Sequence, residues 1–334
     1  VRKRPKKAQE NPAAGHWTWC GCHKQAEWLL AGHLNQEKAR VNQDLPPTSS
    51  VCATFDRVAE RYHLHAALER EVSSRLLERL EFQRLVPQRI MDLGAGTGHS
   101  ARALKRQFPR AEVIALDVSL AMCRKVQRES GFFRPLRPVC ADFARLPFAG
   151  RCADLLFSNL AMQWRTDFAV LAAGFRRVLR TGGLLVFSTL GPGSLPEFRY
   201  LRECAGQNPS TTSPVRPFPD MHDIGDALLA AGFAEPVVDS QVITTEYRDF
   251  ARLLADLEWT GATSHIADWP QWTAATGSLA THYEQMRRQG SLPVTWEIVI
   301  GAAFGPPEGQ PIKTPDGDVA AFSVDSLRGS RKPG

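Results

Sequence analysis

The residues best suited to chemistry form one short run, Asp92-Leu93-Gly94-Ala95-Gly96-Thr97-Gly98. Glycines at alternate positions let the backbone turn sharply and approach a ligand closely, because glycine takes positive φ without steric cost. The run falls between a predicted buried strand (90–93) and a predicted helix (101–107). Open α/β sheets bind ligands there, at the carboxyl ends of their strands. A dinucleotide fingerprint spaces its glycines G-x-G-x-x-G; here the third comes one residue early. Asp117 closes the next predicted strand, 19 residues after Gly98. A carboxylate there can accept both hydroxyls of a ribose, although the position also suits an aspartate capping the following helix. Asp142-Phe143 and Ser158-Asn159-Leu160 close the third and fourth strands. These residues suit the holding of a nucleoside. No Ser-His-Asp or paired-carboxylate constellation accompanies them.

The elements that must position these residues alternate regularly. Strands are predicted over 90–93, 113–116, 136–140, 153–158 and 184–187. Helices are predicted over 101–107, 120–128 and 168–179, the last stopped by Gly182-Gly183. Such alternation predicts a Rossmann-like, doubly wound parallel α/β sheet. Upstream, Phe55, Val58, Ala59 and Tyr62 recur at helical spacing, and a second helix carries Val72, Leu76, Leu77 and Leu80. After Gly193 the regularity lapses, and 206–219 reads as a long Pro/Ser/Thr-rich loop of the kind that is often functional. A helix over 222–231 capped by Gly232, strand at 237–238 and 242–243, a helix over 250–257 and a last strand over 294–300 follow. The expected organisation is a domain over 51–305, with a seven-stranded sheet, an N-terminal helical lid and an insertion near 194–235. An extension over 1–50, set off by Pro46-Pro47, is expected to be dispensable, and 306–334 to be a polar tail.

Composition narrows the class. Apolar residues are 43% and charged residues 23%, ordinary for a globular protein. No apolar run is long enough for a membrane span. Seven scattered cysteines argue against a disulfide framework. No apolar h-region follows the basic start, and a cytoplasmic protein is expected. Residues 1–50 hold eight Lys/Arg against four Asp/Glu, so most of the net charge of +6 lies there, and a nucleic-acid partner for the core is not expected. Cys20-Gly21-Cys22-His23, with His16 and His33, matches no zinc spacing, and no metal is expected.

The glycine run resembles motif I of class I methyltransferases, whose ligand, S-adenosyl-L-methionine, has no pyrophosphate to seat. The resemblance implies that Asp92, Gly94, Gly96, Gly98 and Asp117 belong to the cofactor site. It also implies that Asp142 and Phe143 hold the adenine and that Asn159 faces the methionine end. A narrower resemblance lies in Phe55-x-x-x-Ala59-x-x-Tyr62-x-x-His65-Ala66-x-Leu68, in Ser158-Asn159-Leu160-Ala161-Met162-Gln163-Trp164, in 187–195 and in 295–301. Across about 52–305 the chain is similar to the BioC family, malonyl-acyl-carrier-protein O-methyltransferases of biotin synthesis. Two features depart from that family: Val215-Arg216-Pro217-Phe218 replaces an Asn-Arg-Phe loop, and the leader of 50 residues is foreign to it.

The implied reaction is methylation of the free carboxylate of a malonyl thioester on acyl carrier protein. That carboxylate is already ionised at neutral pH, so no general base is needed and the protein's work is orientation and desolvation. Arg199 or Arg216 can hold the carboxylate bidentately. Tyr62 and His65 are placed to close over the cofactor, and Trp164 to line the acyl pocket, although Tyr62 also suits a core aromatic. An acidic carrier implies a basic docking patch, to which Arg176, Arg177, Arg180, Arg199 and Arg202 are candidates. A monomer is expected. Two alternatives remain: a methyltransferase for a free small acid or a quinone precursor, and a non-catalytic adenosylmethionine-binding module.

Overall fold

The computed structural model describes residues 47–306, apart from 133, 166, 205–214, 267–268 and 270–275, together with 312–314 and 317–319. Seven strands form one sheet: β1 (Arg89–Leu93), β2 (Glu112–Asp117), β3 (Arg137–Cys140), β4 (Ala153–Ser158), β5 (Leu179–Leu190), β6 (Ala234–Tyr247) and β7 (Leu292–Phe304). Their order is β3-β2-β1-β4-β5-β7-β6. β1 to β5 pair in parallel, whereas β7 runs antiparallel to both β5 and β6. The expected doubly wound sheet therefore carries one reversed strand. Strand order turns back between β1 and β4, which opens a crevice at their carboxyl ends.

Helices cover both faces. They are α1 (Thr48–Val58), α2 (Tyr62–His65), α3 (Ala67–Glu81), α4 (His99–Gln107), α5 (Leu120–Glu129), α6 (Phe168–Val178), α7 (Pro196–Cys204), α8 (Met221–Ala230), α9 (Phe250–Trp259) and α10 (Thr276–Glu284). Alternate strand residues point to opposite faces. Ile90, Val113, Leu155 and Leu184 pack with Val72, Leu76 and Leu104 of α3 and α4. Met91, Ile114, Leu156 and Leu185 pack with Leu171, Phe175 and Leu228 of α6 and α8. Burial on both sides explains why these strands read as unbroken apolar runs.

Several elements differ from the sequence reading. The helix through Phe55 and Tyr62 is broken by a turn at 59–61. There His65 is drawn to Asp256 and stacks on Trp259, contacts that override local periodicity. α1 begins at Thr48, inside the segment read as a linker. Gly182-Gly183 do not precede β5 but lie within it, where β5 skips from Leu179 to Leu184 against Ala153 and Leu155 and so absorbs extra residues. The two short strands near 240 form one long strand, because β7 pairs with it as far as Tyr247. α7 and α10 were not anticipated, and short strands at Ile312–Thr314 and Gly317–Val319 pair within the expected tail. The chain separates into units at 1–43 and 44–334. The extension up to residue 46, with Cys20, Cys22 and His23, lies outside the described residues. No group of His, Cys, Asp or Glu among the described residues is arranged to hold a metal ion, and no described helix is long and apolar enough to cross a membrane.

Candidate active site

The glycine run leaves β1 as a tight loop. Gly94, Gly96 and Gly98 have φ of 76°, 53° and 81°. A Cβ on Gly94 would lie 2.3 Å from that of Ala161, whereas one on Gly96 would meet only Tyr62, at 3.8 Å. The amides of Gly94 and Ala95 donate to the Leu116 carbonyl at 2.8 and 2.9 Å, which ties the loop to β2. Gly98 is the N-cap of α4 and has no side chain to satisfy that helix's first amides. Asp92 supplies the missing acceptor from below, taking the Ala101 N–H. It is 1% exposed, and burial, then the charge of Asp117, raises its pKa to about 8. Asp92 is not among the cavity-lining residues and serves the loop from beneath.

Asp117 stands beside the loop. Its carboxylate accepts the Gly96 N–H at 2.8 Å and the Ser119 N–H at 2.9 Å, and it lines a cavity with Gly94, Gly96, Asp142, Phe143 and Asn159. Burial raises its pKa to about 6 against those backbone donors. Asp142 caps the turn at Phe143–Arg145 and pairs with Arg165, whose guanidinium lies 5.9 Å from the Phe143 ring centre. Arg165 also donates to the Thr48 hydroxyl at 2.7 Å, tying the start of α1 to the site. Asp56 secures the same helix by accepting the Ser119 hydroxyl and the Ala121 N–H at 2.6 and 3.0 Å. Asn159 donates to the Glu69 carbonyl at 2.8 Å and accepts from Ser188 at 3.0 Å. Arg165 escaped the sequence reading because it lies outside a strand end, and only its place after Trp164 hinted at it.

A second cavity adjoins this edge. Tyr62 lines both, as do Phe55, Leu160 and Trp164. Burial drives the Tyr62 phenol well above its ordinary pKa. Glu69 faces both this cavity and the space over the glycine loop; burial raises its pKa to about 7. The rest of the wall comes from far along the chain: Thr245 and Tyr247 of β6, Trp296 of β7, Asp256 and Leu257 of α9, and His265. His65 joins it through its 2.6 Å contact with Asp256. Trp164 packs edge-on against Phe55 at 5.0 Å. Neither expected arginine is among the described lining residues. Arg199 donates to the Pro192 carbonyl at 2.8 Å. Arg216 stands nearer, its backbone N–H held by the His265 carbonyl at 2.8 Å.

A doubly wound sheet with this cradle at its switch point, and a second cavity beside it, defines a class I S-adenosylmethionine-dependent methyltransferase. Residues 91–187 match the methyltransferase domain family. The chain is 43% identical over 275 residues to a malonyl-acyl-carrier-protein O-methyltransferase of Gallionella capsiferriformans, covering 80% of this chain and 93% of that one. It is 40% identical over 280 residues to one from Methylovorus sp., covering 81% and 90%. Among solved structures it is similar to the YcgJ protein of Bacillus subtilis, at 17% identity and a TM-score of 0.48, covering 69% of this chain and 97% of that one. The chain belongs to the malonyl-acyl-carrier-protein O-methyltransferase family.

Proposed function

We propose that this chain transfers the methyl group of S-adenosylmethionine to the free carboxylate of a malonyl thioester carried by acyl carrier protein. The observation that carries this reading is the shared wall: Tyr62, Phe55, Leu160 and Trp164 face the cofactor edge and the second cavity at once. In this reading Asp117 holds the ribose, Asp142 and Phe143 the adenine, and Asn159 and the Gly94–Gly98 loop the methionine end. Asp92 braces the loop. The glycines fit the group because a Cβ at Gly96 would stand in the cradle.

When bound, the cofactor supplies an activated methyl on a sulfonium. The malonyl carboxylate is ionised at neutral pH. The residues therefore position and desolvate it rather than move a proton. Tyr62 and Trp164 shut water out at the shared wall. His65, fixed by Asp256 and stacked on Trp259, holds α2 closed over that wall. Arg216, beside His265, is the better placed of the two arginines to supply positive charge behind the acceptor, while Arg199 faces the loop after β5. The chain acts as a monomer in the cytoplasm, with acyl carrier protein as its macromolecular partner, and residues 1–46 are dispensable for the chemistry.

Radiolabelled methyl transfer to malonyl-carrier protein, acetyl-carrier protein and free malonate tests the reading. Label is expected on malonyl-carrier protein alone. Preference for free malonate would make the chain a small-acid methyltransferase.

A further inference from the structure

The second cavity holds a polar group that the mechanism above leaves unused. His265 ends the single helical turn Ala262–His265 and is 1% exposed. The rings of Trp164 and Phe218 flank it, with centroids 4.2 and 5.1 Å away. It lines the cavity, yet neither ring nitrogen has a hydrogen-bond partner among the described residues. Burial, and then the charge of Arg216, lowers its pKa to about 3. The ring is therefore neutral at physiological pH, with one N–H to give and one bare nitrogen. A buried donor without an acceptor is costly, and a phenyl ring would fill this slot between two aromatics equally well. His265 lines the cavity, so a substrate seated there can bring the acceptor that the described residues do not supply.

Its position says which part of a substrate it meets. Tyr62, Phe55, Leu160 and Trp164 line both the cofactor cavity and this one, whereas His265 lines only the latter. The nucleophilic oxygen must meet the methyl group at the shared wall. His265 therefore meets a group further along the acceptor. In a malonyl thioester the next hydrogen-bond acceptor, one methylene beyond the carboxylate, is the thioester carbonyl. We infer that His265 is a substrate-binding residue whose imidazole N–H donates a hydrogen bond to that carbonyl. The inference rests on the malonyl reading above. It makes the cavity selective for an acyl thioester, because an acceptor lacking the carbonyl leaves the buried N–H unpaired.

The test compares two carriers with the same carboxylate. One bears malonyl thioester; the other bears a 2-carboxyethyl thioether, in which a methylene replaces the carbonyl. The wild-type chain is expected to favour the thioester in kcat/KM by about tenfold or more. His265→Phe should erase that preference by lowering kcat/KM on the thioester about tenfold, with the thioether rate nearly unchanged. His265→Gln, which keeps an N–H donor, should recover part of it. An unchanged Kd for S-adenosylmethionine by calorimetry and a cooperative melting transition no lower than that of the wild-type chain show that the variants fold. Equal losses on both carriers, or a preference that survives in His265→Phe, overturn the assignment while leaving the malonyl reading standing. Failure of the wild-type chain to methylate either carrier overturns the malonyl reading and this assignment with it.

Discussion

The cofactor edge and the acceptor cavity touch through Tyr62 and Trp164, yet they are built in opposite ways. At the edge, the functional groups follow the ends of successive strands, and backbone amides hold the two carboxylates: Asp117 is held by Gly96 and Ser119, Asp142 by Ala144. In the cavity, side chains hold one another across large sequence separations, as His65 does with Asp256, 191 positions away. The edge is a property of the fold. The cavity depends on residues that the sheet and its packed helices bring together from distant parts of the chain.

The largest expected effect lies at the edge. Gly96→Val should reduce S-adenosylmethionine affinity beyond detection by calorimetry, while circular dichroism shows the fold intact, since its Cβ opens onto Tyr62 alone. The positive φ should cost a further ~1–2 kcal/mol of stability. Retained binding would mean that the loop is not the cradle.

Next in size is an opposition in pH response. Asp92 is neutral in the fold up to about pH 8, but in the unfolded chain it ionises near pH 4. It therefore stabilises fully below about pH 4. Its contribution is lost progressively as pH rises from there through its folded pKa. His265 has the reverse sign. Its folded pKa of about 3 lies below the unfolded value, so its contribution is lost as pH falls from about 6.5 toward 3. In urea unfolding from pH 4 to 8, Asp92→Asn should flatten the alkaline decline and His265→Phe the acid one. A shared slope in both variants would show that the two regions do not differ in this way.

Asp117→Ala should weaken cofactor binding by about 1.5–3 kcal/mol, the loss of charge-assisted hydrogen bonds. In the wild-type chain the same binding should weaken as pH drops through about 6, where the carboxylate gains a proton. Calorimetry at pH 5 and 8 checks both. On the acceptor side, Arg216→Ala should lower kcat/KM for malonyl-carrier protein about tenfold, or about 1.4 kcal/mol, with Arg199→Ala close to wild type. The reverse order would move the substrate toward α7.

The smallest effect concerns the start of α1. A chain beginning at Pro47 should keep wild-type turnover. One beginning at Val51 should lose the Arg165–Thr48 bond and bind cofactor several-fold more weakly, worth about 1 kcal/mol.

The same contrast decides what could be read from the sequence. Five strands, their helices and the residues Gly94, Gly96, Asp117, Asp142, Phe143 and Asn159 that line one cavity were legible, because a strand end and the residues that follow it are neighbours in the chain; Val118 was not. Asp92 was visible as part of that pattern, but its task of taking the Ala101 N–H was not. Tyr62, His65 and Trp164 came from resemblance, and they line the second cavity. Glu69, Gln163, Thr245, Tyr247 and His265 were missed. Thr245, Tyr247 and His265 reach the Glu69 and Gln163 side of the cavity only through the pairing of β6 with β7 and the packing of α9, which no local spacing records. Arg199 was selected by charge and chain position alone, and charge does not report where a side chain ends.

The strand order has a consequence for how the molecule is made. β7, the last strand of the sheet to leave the ribosome, belongs between β5 and β6. Until residues 292–304 emerge, the buried Leu184–Leu190 edge of β5 has no neighbour and β6 has nothing to pair with. The glycine loop and its strands can form early in synthesis. The wall borne by Thr245, Tyr247 and Trp296 must wait for β7, leaving an unpaired apolar edge for chaperones to guard in the interval.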